Sequence, residues 1–70
     1  MSKDAWAAFL RWLDQAGAVE LAAKQTQCLA LLDTLTEPDL KASLRQMVRL
    51  IEEERLIRLG IQARREEEQG

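Results

Sequence analysis

The chain has 70 residues, with no histidine, no tyrosine and one cysteine, Cys28. That count excludes an intramolecular disulfide, a zinc site of the usual nitrogen and sulfur kind, and most acid–base or nucleophilic catalysis. Ten basic and twelve acidic residues give a formal charge of −2, which is neither a field that would by itself recruit nucleic acid nor an acidic tail.

The first element begins at Ser2, an N-cap residue, and Trp6, Phe9, Leu10 and Leu13 fall on one helical face behind it. Asp4, Arg11 and Asp14 interrupt this segment, which speaks against a signal peptide. A second apolar strip, Ala5, Ala8, Trp12, Ala16 and Val19, lies beside the first, since Trp6 and Trp12 stand about 120° apart at about 100° per residue. After Gly17, Ala18, Leu21, Ala22, Cys28, Leu29, Leu32 and Leu35 form another run at helical spacing. Leu13 and Leu21 are roughly 80° out of phase, so the two runs do not share a face. The expectation is one long helix over 3–34 that can kink at Gly17, with two shorter helices meeting there as the alternative. Gln25 lies on the second stripe, where a single polar group can fix register. Cys28 reads as a small buried hydrophobe.

The turn falls at 35–37 in Leu35-Thr36-Glu37-Pro38-Asp39. Thr36 is the expected N-cap, with Pro38 in the first turn and Glu37 and Asp39 at the positive end of the helix dipole. A second helix is predicted over 37–65, with Leu40, Leu44, Met47, Val48 and Ile51 on one face. Beyond it Leu56, Ile57, Leu59 and Ile61 widen or rotate that face, and Glu54 and Arg58 occupy two of its positions. Lys41, Arg45 and Arg49, four apart, form a basic strip that could meet phosphate or an acidic partner; Arg49–Glu53 and Glu54–Arg58 also have the spacing of helix ion pairs. The glutamates at 52–54 and 66–68 point around the helix and form no converging dyad. Residues 66–70 lack apolar anchors and are expected to fray.

These elements predict an all-α fold: a single helical-hairpin domain over 1–70, with two arms of about 30 residues, each about 45 Å long. So short a chain buries little core, so the hairpin is expected to pair into an antiparallel homodimeric four-helix bundle. The expected dimer interface is Leu10, Leu13, Leu21, Cys28, Leu32, Leu40, Leu44, Met47 and Ile51. In length and hairpin layout alone the chain is similar to the Rop-like RNA-binding dimers. The functional expectation is a cytoplasmic, non-enzymatic regulator or adaptor of the inhibitor or antiactivator kind. It would bind another protein through Trp6, Phe9, Trp12 and Val19, because tryptophan is a frequent interface anchor. The alternatives are an RNA- or DNA-binding dimer using Lys41, Arg45 and Arg49, or a purely structural oligomerisation module. No catalytic residue, cofactor, metal, small-molecule substrate or membrane contact is expected.

Overall fold

A computed structural model describes the backbone of residues 2–69, and the side chains of all of these except Gln62 and residues 65–69. The described residues form three α-helices and no strand: α1 (Lys3–Gln15), α2 (Ala18–Thr34) and α3 (Pro38–Gln69). The single helix expected over 3–34 is therefore two helices.

The Ser2 hydroxyl caps α1 as expected, accepting a hydrogen bond from the Ala5 amide at 3.2 Å, and Asp4 sits in the first turn. The helix ends because Ala16 and Gly17 are both extended, with φ/ψ of −68°/143° and −77°/169°. The phase mismatch between Leu13 and Leu21 explains why the chain breaks here. A continuous helix would turn one of the two apolar runs to solvent. Two extended residues let α1 turn back toward α2 and α3 instead, bringing the Lys24 ammonium to 5.6 Å from the Trp12 ring centroid. Phe9, Leu13, Ala16 and Leu21 then join Ile51 of α3 in one buried cluster. Burying Phe9 and Leu13 is worth about 1.5–3 kcal/mol each, of the same order as the loss of about four helix hydrogen bonds at about 1 kcal/mol apiece.

At the second turn the Leu35 amide closes α2 on the Leu31 carbonyl at 3.0 Å. The Lys41 amide donates to the Glu37 carbonyl at 3.1 Å, so Glu37, not Thr36, is the residue that caps α3, and Pro38 is its first helical residue. There proline's missing N–H leaves no bond unmade. The helix continues through Gln69, past the expected end at 65, so the backbone of 66–69 is helical where fraying was expected; Gly70 lies outside the described residues. α2 packs along α3, and α1 closes over both through Phe9 and Leu13, with Trp6, Trp12, Met47 and Leu50 partly buried around them. No described helix is long and apolar enough to cross a membrane.

Candidate functional site

The corner between α1 and α2 is held by one side chain from α3. Ending α1 at Gln15 strips the carbonyls of its last turn of their helical partners. Arg58 replaces them: one terminal nitrogen donates to the Ala16 carbonyl at 2.6 Å and the other to the Leu13 carbonyl at 3.3 Å. Its Nε donates to Glu54 at 3.0 Å, and the pair is about two-thirds shielded from solvent. A cation at the negative end of the α1 dipole is favoured as well. The sequence offers Arg58 only as half of an ion pair; its place on the apolar seam of α3 was the available signal. Nearby, Arg55 donates to the Gln25 amide oxygen at 2.6 Å, joining α2 to α3 through the polar residue on the α2 stripe.

The aromatic residues of α1 form a short ladder. Trp6 meets Phe9 edge-on at 5.8 Å, and Phe9 stacks on Trp12 at 5.9 Å. Phe9 is buried in the chain's own core, which removes it from any docking surface; Trp6 and Trp12 are half-buried against it. Val19 stands apart at the start of α2, 83% exposed.

Of the residues expected to form a dimer seam, Leu13, Leu21, Cys28 and Ile51 are buried within one chain and are not available to a second copy in this fold. Leu32, Leu44 and Met47 are half-buried, and Leu10 and Leu40 are exposed. For Leu21 and Ile51, Phe9 and Leu13 of α1 supply cover that a second hairpin was expected to provide. Along α3, Lys41 is half-buried, while Arg45 and Arg49 are exposed and Arg49 pairs with Glu53 at 3.3 Å. That pair offsets one of the strip's three positive charges.

Compared with family models, with curated proteins and with solved structures, the chain matches none.

Its chemistry therefore has to be read from its own surface. Cys28 is buried, and burial pushes its thiol up from its ordinary pKa, with the Lys24 ammonium acting in the opposite sense. Reactive thiols are shifted the other way. No cluster of three or more potential metal ligands occurs among the described residues. What stands out instead is apolar: Leu56, Ile57, Leu59 and Ile61 of α3 are between 46% and 62% exposed. At 32 residues α3 is nearly twice the length of α2, at 17, and this apolar group lies in its second half.

Proposed function

We propose that this chain is a small non-enzymatic regulator or adaptor that works as a homodimer and acts by binding another protein. The exposure of Leu56, Ile57, Leu59 and Ile61 carries the reading. Exposed apolar side chains grouped on one stretch of helix are ordinarily covered by a partner. The dimer proposed here is built on α3, not on the buried Leu21 and Ile51 seam. The half-buried Trp6 and Trp12, with Leu10 beside them at 50% exposure, remain as the edge through which α1 meets a target. Binding would act by occlusion, an apolar helix edge lying in a groove of the target.

The test uses the full chain immobilised against extract of its host. The reading holds if a specific protein is retained and Trp12→Ala abolishes retention while circular dichroism and molar mass stay unchanged. If Trp12→Ala unfolds the chain, the tryptophan is core and the docking edge is lost from the account. Retention of RNA or DNA that vanishes with salt, and in the Arg45→Ala/Arg49→Ala double variant, would replace the protein partner with a nucleic acid.

A further inference from the structure

The exposed face in the second half of α3 carries residues that complement one another when the segment is reversed. Glu53, Ile57, Gly60 and Arg64 are spaced four, three and four apart, the spacing of a two-helix seam. At about 100° per residue these four positions fall within about 60° of one another around the helix. Leu56 flanks them on one side and Ile61 on the other, each about 40° beyond the edge. All six residues are exposed in the folded chain.

Their order is self-complementary. Reversing the segment about its midpoint, between Arg58 and Leu59, exchanges Glu53 with Arg64, Leu56 with Ile61 and Ile57 with Gly60. A two-fold interface requires this relation, in which residue i meets j while j meets i. The acidic run 52–54 precedes the apolar group and Arg64 and Arg65 follow it, so antiparallel copies set acid against base at both ends, whereas parallel copies set like against like.

Gly60 supplies a second, independent observation. Glycine in mid-helix costs about 1 kcal/mol relative to alanine. Nothing among the described residues requires it, for its φ is not positive and a Cβ built there meets no described atom within 4 Å. A glycine on an exposed face, opposite an isoleucine in the reversed register, gives a neighbouring helix room to come close.

We propose that the partner on this face is a second copy of the chain, its α3 antiparallel to the first. Ile57 of each copy seats over Gly60 of the other, and Glu53, which Arg49 of its own chain meets at 3.3 Å, also pairs with Arg64 across the seam. This rests on the homodimer reading above and specifies its face, direction and register.

Sedimentation equilibrium at low salt on the full chain and four variants tests it. The wild type is expected to be a dimer. Glu53→Arg and Arg64→Glu should each weaken it roughly tenfold, two exposed pairs being broken and made repulsive at once, and the double exchange should restore it. Gly60→Gln should also weaken the dimer by tenfold or more while leaving the helical circular dichroism intact, since its side chain enters open space in the monomer. Singles that weaken the dimer with no recovery in the double variant would overturn the antiparallel register. A wild-type dimer indifferent to all four variants would place the interface elsewhere, overturning this proposal but not the homodimer. A folded wild-type monomer at high micromolar concentration would overturn both.

Discussion

Arg58 ties the α1–α2 corner to α3 through hydrogen bonds to two main-chain carbonyls, those of Leu13 and Ala16. Truncating it leaves both without their partner, at about 1–3 kcal/mol for such a loss. In so small a domain, with a few kcal/mol of stability in all, Arg58→Ala should sharply lower the denaturant midpoint. Arg58→Lys should recover only part of this, because an ammonium lacks the planar fork that spans both carbonyls. Equal midpoints for wild type and Arg58→Ala would show that the corner holds itself. Cys28 gives a second prediction at this scale. Its raised pKa means that the folded chain favours the protonated thiol. The contribution to stability is full below the unfolded value of about 8.5 and is lost as pH rises through the higher folded one. Denaturant midpoints should therefore fall more steeply above that pH for the wild type than for Cys28→Val. Parallel curves would contradict the account.

The three helices differ in how plainly the sequence announces them. Pro38, with acidic residues on both sides, marks the start of α3 to within a residue, because proline at a first helical position is a local, steric signal. The break at Gly17 is visible only as a phase mismatch between Leu13 and Leu21. Periodicity shows that the two faces diverge; whether the chain kinks or reverses there is decided by packing against α3. For the same reason the burial of Leu21 and Ile51 was legible while the identity of their cover was not, since α1 and a second chain satisfy an apolar stripe equally well. The role of Arg58 left still less trace, because main-chain carbonyls have no sequence signature. The backbone angles of the break provide a direct test. Gly17 has a φ of −77° and Ala16 a ψ of 143°, values that proline and the residue before it adopt without strain. Gly17→Pro should keep the helical content and raise stability by about 0.4–1 kcal/mol, read as a rise of several degrees in Tm. Loss of helix and a lower Tm would mean that the chain runs through this point as one helix.

At the scale of the molecule, the chain is more extended than its mass requires. Its accessible surface is 5532 Å², against about 4,450 Å² for a compact protein of its size. Its radius of gyration is 14.4 Å, against about 11 Å for a compact chain of this length. The excess of about 1,100 Å² is comparable to the roughly 800 Å² that each partner contributes to a standard interface. The shape follows from the element lengths: α3 is nearly twice as long as α2, α1 and α2 reach along one side of it as far as Arg58, and the exposed apolar group around that residue is left open to solvent. Self-association through that group is thus the central claim, and the molar mass of the full chain alongside Ile57→Glu tests it most directly. Sedimentation equilibrium should give twice the 8.0 kDa chain mass for the wild type and a folded monomer for Ile57→Glu. A wild-type monomer, or a dimer that Ile57→Glu leaves intact, would contradict it.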